Sequence, residues 1–240
     1  MCSRTSTIAP VTGDGTLKAQ PESPLLPDCL NAGHTHPGRR WAKHFAQARS
    51  VPAWIVIEAA AWTELQLAGQ ITCPASYAPQ VEEFVEAYAW LKAEMAEAGI
   101  PAPDPGLTPW WVWVQREPGH PQPFLDDLQG MGDPVVLELR LPPGELILSC
   151  FDAWHAVLNR WPLYDSPEAE AAIEVKIRAG GPEAESALVA SWMQVFDLAQ
   201  LYGDPLGPDK RCVQGCIWQI RLEYVTRVVS TAELDSLPLS

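Results

Sequence analysis

The alternation of apolar and polar residues predicts short β-strands in the central and C-terminal parts of the chain. Residues 135–141 alternate three leucines with Glu138 and Arg140, which is the pattern of a strand with one face in solvent. The segments 54–57 and 110–115 are rich in β-branched and aromatic residues, which favours strands. Further strands are expected at residues 70–73, 145–148, 216–223 and 224–229.

Apolar residues at helical spacing predict helices between these strands. The clearest helix covers residues 79–98, with glutamates chiefly on one face. The other face is apolar and comprises Val81, Phe84, Val85, Tyr88, Leu91 and Met95. Other helices are expected at residues 58–68, ended by Gly69, and at residues 150–159, 167–178 and 182–201. Because the elements do not alternate regularly as βαβ units, the sequence favours the α+β class: a single domain with a mixed or mostly antiparallel sheet and about four or five helices.

The N-terminal region differs from the rest of the chain. Residues 1–50 are rich in Pro, Gly, Ser and Thr and show no apolar periodicity, so we expect a disordered extension. Within it, His34 and His36 are expected in a solvated turn, and residues 40–49 are able to form a short basic helix. The expected organisation is therefore an extension at 1–50, a single α+β domain at 51–232 and a flexible tail at 233–240.

The charge and hydropathy of the chain limit its partners. The formal net charge is −14, and most acidic residues follow residue 50. Nucleic acid is bound chiefly through Lys and Arg, and anionic membranes repel an acidic surface, so neither is an expected partner. The sequence has no long apolar run and no apolar segment of a secretory signal at its start, so a cytoplasmic protein is expected.

The six cysteines have no compact framework spacing, and reduced thiols are expected in the cytoplasm. Cys212 and Cys216 resemble a metal-binding pair. Both are expected on or next to a strand, where four residues span about 13 Å, so they do not reach one ion together without a bend. No metal site is predicted, and the sequence identifies no cofactor.

The segment Ser149 to Trp161 (SCFDAWHAVLNRW) is the best candidate for chemistry. Its helical spacing places Phe151, Trp154, Leu158 and Trp161 on an inward face. Asp152, His155 and Asn159 then form a polar stripe, in which a carboxylate beside an imidazole suits general acid–base catalysis. The alternative is structural: Ser149 caps the helix in a capping box with Asp152, and His155 bonds a backbone carbonyl.

Tryptophan is unusually frequent, with 11 residues. Core packing is its usual use, but alternation in residues 110–115 sends Trp111 and Trp113 to one face and Trp110 to the other. Some tryptophans should therefore line a cleft or a partner surface, and Trp113 and Trp154 are candidates for ligand binding. In the last strand, Gln219, Arg221 and Glu223 share a polar face, which forms either the solvent side of a sheet or the floor of a pocket.

Several segments, taken in order, resemble the bacterial domain-of-unknown-function family 3841 over residues 51–229. They are Trp54 with Trp62, Leu65 and Gly69, then AYAWL at 87–91, PWWVW at 109–113, LELRLP at 137–142, SCFDAWHAVLNRW at 149–161, SWMQVFDL at 191–198 and IWQIRLEYV at 217–225. The chain departs from the family pattern at four positions. Ile55 and Ile57 replace a Thr and a Gln. Cys150 replaces an Asp, and Gln219 replaces a Glu. The resemblance identifies a family without implying an activity.

The sequence leaves open whether the domain is an enzyme. The first hypothesis is a domain that binds a small molecule or nucleotide. The order of its elements loosely resembles small ADP-ribosyltransferase-like folds, which implies a catalytic Glu223 or an equivalent role for position 219. The second hypothesis is a non-enzymatic protein-interaction domain with an acidic, Trp-rich surface. A pocket containing Asp152, His155 and Asn159 would favour the first hypothesis, and a flat Trp-rich patch the second.

Overall fold

An antiparallel sheet of six strands organises the fold, in the order β5-β6-β3-β1-β4-β8. The computed structural model describes residues 36–73, 84–203 and 206–234. The six strands are β1 (Val51–Glu58), β3 (Trp110–Gln115), β4 (Pro134–Leu141), β5 (Ile147–Cys150), β6 (Val213–Ile217) and β8 (Val225–Val229). Two short strands, β2 (Gln70–Thr72) and β7 (Gln219–Arg221), pair separately.

Helices surround the sheet, which confirms the α+β prediction. They are α1 (Pro37–His44), α2 (Ala59–Ala68), α3 (Val85–Glu97), α4 (Phe151–Leu158), α5 (Pro167–Ala179), α6 (Gly181–Ser191) and α7 (Thr231–Leu234). Gly69 ends α2 with a positive φ of 78°, a conformation that glycine adopts readily. Short 3₁₀ segments lie at Leu125–Leu128, Trp192–Phe196, Pro208–Lys210 and Leu222–Tyr224. Among the described helices, none is long and apolar enough to cross a membrane.

The two faces of the sheet have different roles. One face, the core face, carries most of the strand residues of the large hydrophobic core, for example Ala53, Ile55 and Leu137. The other face, the pocket face, carries one residue from each strand in a continuous row across the sheet: Ser149, Gln214, Trp113, Trp54, Glu138 and Arg227. The register of the strands therefore decides which side chains meet on the pocket face.

The folded domain begins before Val51, so the expectation of disorder is wrong for residues 36–50. Residues 37–44 form α1, and Gly38 packs closely against Ile147 at the edge of the sheet. The expected solvated turn is also wrong at His36, which is buried. Its Nδ1 accepts from the Gly38 amide at 3.2 Å, and its Nε2 lies 3.2 Å from the Glu94 carboxylate. The rest of the extension, residues 1–35, lies outside the described residues.

The C-terminal boundary also extends further than expected. Leu234 is buried and packs with Trp54, so residues 233 and 234 do not belong to a flexible tail. The long helix expected at 182–201 is shorter: α6 ends at Ser191 and continues as a 3₁₀ segment to Phe196. The last strand is divided at Trp218 into β6 and β7.

Two local predictions are wrong in detail, and one falls outside the described residues. Trp161 was expected to pack inward but is 61% exposed, because α4 ends at Leu158 and Arg160 turns the chain with a φ of +55°. Val85, in the first turn of α3, is also exposed. Pro79 and Val81, which were expected in that helix, lie outside the described residues.

Candidate small-molecule pocket

A pocket of about 260 Å³ lies between the pocket face of the sheet and helices α3 and α4. Strands β3 and β6 provide its floor, α4 provides one side, and the beginning of α3 provides the other. Aromatic side chains dominate its walls. The lining residues are Phe84, Tyr88, Trp111, Val112, Trp113, Phe151, Trp154, His155, Leu158 and Gln214.

The turn from β5 into α4 directs the helix across the pocket face. Cys150 is the N-cap of α4 and makes no capping hydrogen bond with its side chain. The predicted capping box is therefore wrong: Ser149 lies on β5, 2% exposed, and its hydroxyl has no hydrogen-bond partner. Since α4 begins immediately after β5, its Phe151, Trp154 and His155 all reach the pocket.

Tyr88, Trp111 and Trp154 form a close aromatic cluster on one side of the pocket. The ring of Trp154 lies 5.7 Å from that of Tyr88 and 5.1 Å from that of Trp111, measured between centroids. The Trp111 indole Nε1 donates to the Tyr88 hydroxyl at 3.2 Å. Burial raises the pKa of Tyr88 above its ordinary value, so this hydroxyl stays protonated at neutral pH. The cluster presents rigid, uncharged ring surfaces to the pocket.

Trp113 and Phe151 form the opposite wall, with ring centroids 4.8 Å apart. The Arg116 guanidinium lies over the Trp113 ring at 4.8 Å and is 5.8 Å from the Phe151 ring, in the range of cation–π attraction. The Asp127 carboxylate accepts hydrogen bonds from Arg116 Nε at 2.9 Å and from Arg116 Nη2 at 3.0 Å. This bidentate pair, the largest cause of the raised pKa of Arg116, fixes the wall in position.

Gln214 places a polar group within this aromatic pocket. It lies on β6 directly between Ser149 and Trp113 of the neighbouring strands and is 5% exposed. Its amide Nε2 is buried without a hydrogen-bond partner. Buried polar groups are nearly always paired, so this amide is the unusual polar group of an otherwise aromatic pocket.

His155 lines the pocket from α4 while its residue remains largely exposed. Its Nδ1 lies 3.0 Å from the Phe151 carbonyl oxygen. Because a carbonyl only accepts, Nδ1 carries the proton, and Nε2 of the neutral ring is an acceptor. Asn159 donates to the His155 carbonyl at 2.7 Å. Asp152 and Asn159 are exposed and do not line the pocket.

The pocket therefore contains part of the predicted site. Trp113, Trp154 and His155 come together in it, whereas Asp152 and Asn159 lie on the solvent side of α4. Gln219 lies on β7 and pairs with Thr72 of the separate two-stranded sheet. Glu223 is in the 3₁₀ segment after β7, exposed, with a carboxylate oxygen 3.7 Å from Arg221. Neither residue lines the pocket.

Tyr88, Phe151 and Gln214 line the pocket and were not predicted as ligand-binding residues. The signal for Gln214 was a single glutamine between the apolar residues of VQGCI. Within the described residues, no group of three His, Cys, Asp or Glu is placed to hold a metal ion.

A profile of the domain of unknown function DUF3841 matches residues 54–226. The chain belongs to the DUF3841 family. This range includes nearly every strand of the sheet and all residues that line the pocket. No curated protein and no solved structure matches the chain. The family membership therefore agrees with the sequence resemblance and adds no activity to it.

Proposed function

We propose that this DUF3841 domain binds a small planar organic molecule in the aromatic pocket. The observation that carries the proposal is the Gln214 amide, which is buried without a partner where it meets the pocket. A buried donor without a partner costs about 1–3 kcal/mol. A ligand with a hydrogen-bond acceptor would remove this cost, so the free domain is prepared for such a ligand.

The walls support a planar ligand in particular. Flat ring surfaces of Trp111, Trp113 and Trp154 surround the cavity, and aromatic pairs gain energy from offset stacking and edge-to-face packing. Ligand sites are typically apolar cavities with a few placed polar groups. The cavity of about 260 Å³ lies just below the usual range of about 300–1,000 Å³, which favours a compact ligand of one or two rings.

The proposal concerns binding and assigns no reaction. His155 and Tyr88 are the titratable side chains among the described lining residues, and Asp152 lies outside that lining. The ADP-ribosyltransferase-like hypothesis depended on Glu223 or position 219. Neither residue lines the pocket, so no feature of the pocket favours that chemistry.

Calorimetric titration of the full chain with quinoline, benzimidazole and 1-methylindole tests the proposal. At least one of these planar probes should bind saturably, and at about 100 times its dissociation constant it should stabilise the fold by roughly 2.7 kcal/mol. Leu158→Trp should fill the pocket and abolish binding. Leu67→Trp, at an 85% exposed position of α2, is the matched control and should bind as the wild type does.

Two results would overturn the proposal. One is that no planar probe binds. The other is that the probes bind equally well to Leu158→Trp, which would place binding elsewhere. Either result would favour the protein-interaction hypothesis, for which the exposed Trp161 is the first side chain to replace.

A further inference from the structure

The polar groups and charges around the pocket specify the ligand more closely. Resting on the proposed function, we infer that the pocket selects uncharged nucleobase-type heterocycles. Such a ligand is planar, offers an acceptor to Gln214 and a donor to His155, and carries no phosphate. A base or a nucleoside meets these requirements, and a nucleotide does not.

The acceptor requirement comes from the floor of the pocket. The Nε2 of Gln214 donates hydrogen bonds only, and within the described structure no protein acceptor meets it. The ligand edge that reaches the floor must therefore carry a carbonyl oxygen or an unprotonated ring nitrogen. A purely apolar ring would leave the Gln214 amide unpaired and would therefore bind more weakly. Such a site discriminates in this way between flat molecules of similar shape.

The donor requirement comes from the α4 side of the pocket. In the neutral tautomer that donates its Nδ1 proton to the Phe151 carbonyl, His155 has a lone pair on Nε2. A ligand N–H or amino group satisfies this acceptor. Donor and acceptor groups on one flat ring system are the defining chemistry of nucleobases.

The charges near the pocket exclude phosphate. No lysine or arginine is among the described lining residues. Arg116 is held by Asp127, and Arg160, which follows α4, pairs with Glu86 and Glu185.

A carboxylate on α4 acts in the same direction. Asp152 occupies the first turn of α4, where it offsets the attraction of that helix end for an anion. A phosphate beside this end of α4 would therefore meet a negative charge, while Arg116 and Arg160 are already paired with carboxylates.

Competitive titration of the full chain at low ionic strength tests the inference. The bases are adenine, hypoxanthine, uracil and cytosine. Adenosine and uridine are each compared with their 5′-monophosphates. The planar control is 1-methylindole, which has no hydrogen-bond donor or acceptor to pair with the pocket. At least one base should bind about tenfold more tightly than 1-methylindole, since one or two hydrogen bonds supply that ratio. Each monophosphate should bind at least about tenfold more weakly than its nucleoside, and the difference should shrink as salt screens the charges.

Two variants assign the effect to its residues. Gln214→Leu and His155→Phe should each weaken base binding about tenfold. Near-ultraviolet circular dichroism of the wall tryptophans should match the wild type in both variants, which would show that the pocket remains formed, and Leu67→Trp, at an 85% exposed position, is the control that should bind bases as the wild type does.

The outcomes separate this inference from the proposed function. If 1-methylindole binds and no base binds more tightly, the inference fails and the pocket remains a binding site. If nucleotides bind as tightly as nucleosides, the exclusion of phosphate is wrong. If nothing in the panel binds, the inference fails, and so does the proposed function for these planar probes.

Discussion

Ser149 and Gln214 lie directly opposite each other on β5 and β6, and each brings a buried polar group without a hydrogen-bond partner to the same end of the pocket face. Directly opposed residues of an antiparallel pair have side chains on the same face, about 5 Å apart. The two unpaired groups are thus neighbours. Both lie at the end of the row that meets the pocket, where Gln214 lines the cavity.

Ser149→Ala should raise the free energy of unfolding by about 1–3 kcal/mol, because it removes a buried hydroxyl that has no partner. Ser191→Ala is the matched control. Ser191 is also buried, but its hydroxyl donates to the Leu188 carbonyl at 2.6 Å and accepts from the Leu163 amide at 3.1 Å. Its loss should cost about 1–3 kcal/mol. Urea denaturation measures both values, and equal losses would show that the Ser149 hydroxyl is paired in solution.

Arg116→Leu should destabilise the domain by about 1–3 kcal/mol, because it breaks a half-buried bidentate pair and leaves Asp127 without its guanidinium. Arg178→Leu is the control, since Arg178 is 81% exposed and lies 3.7 Å from Glu174 on one helix, where such pairs contribute little. Thermal and urea unfolding compare the two variants. Fluorescence of the wall tryptophans should also change in Arg116→Leu alone, and a loss no larger than that of Arg178→Leu would contradict the role given to this pair.

His120 should make the stability of the domain dependent on pH. Burial lowers the pKa of His120 below its ordinary value, and the neighbouring Glu117 carboxylate acts in the opposite direction. Both ring nitrogens are buried without partners, and the ring stacks on Phe124. As the pH falls below about 6.5, the unfolded chain takes up the proton first. The free energy of unfolding must therefore fall in that range, while above it the neutral ring contributes no pH dependence.

His120→Phe keeps the stacking and removes the titration. Chemical unfolding of wild type and variant between pH 7.5 and pH 5 isolates the effect, because all other groups titrate in both proteins. The stability of the wild type relative to the variant should stay constant near pH 7.5 and decline towards pH 5. Parallel curves over the whole range would show that His120 is accessible to protons in the folded state.

Gly38→Ala should destabilise the domain by about 1–3 kcal/mol through overpacking. An added Cβ would overlap Ile147 Cγ1 and lie 2.9 Å from the Leu148 carbonyl oxygen, and the backbone of β5 does not yield easily. Gly132→Ala is the control, since a Cβ there meets nothing within 4 Å. The comparison also tests whether α1 belongs to the folded domain. If Gly38→Ala unfolds as the wild type does, α1 does not pack on β5 in solution.

The strands were the most predictable part of the fold, because a two-residue period depends only on local sequence. The alternation in β3 correctly separated Trp110 on the core face from Trp111 and Trp113 on the pocket face. Helix α1 was predictable only in part: a short basic helix was allowed at residues 40–49, and the structure has a helix at Pro37–His44. It is short, and it depends on the fit of Gly38 against β5, a tertiary contact that no periodicity reveals.

The site was predictable where one helix determined it. The spacing of Trp154 and His155 on α4 brought both to the pocket. The same helix keeps Asp152 and Asn159 out of the pocket, because a helix that covers a pocket presents only one of its sides to it. Gln214 was missed because its position depends on pairing with Trp113 and Ser149, residues that are distant in sequence.

The row of six residues across the pocket face limits which insertions and deletions the strands tolerate. Val213 and Gly215 flank Gln214 and belong to the core face. A single inserted or deleted residue within β6 would turn the amide into the core and leave the pocket without its floor group. A substitution at position 214 therefore changes the pocket floor without disturbing the sheet, whereas changes of chain length fit only in connections such as the one between β3 and β4.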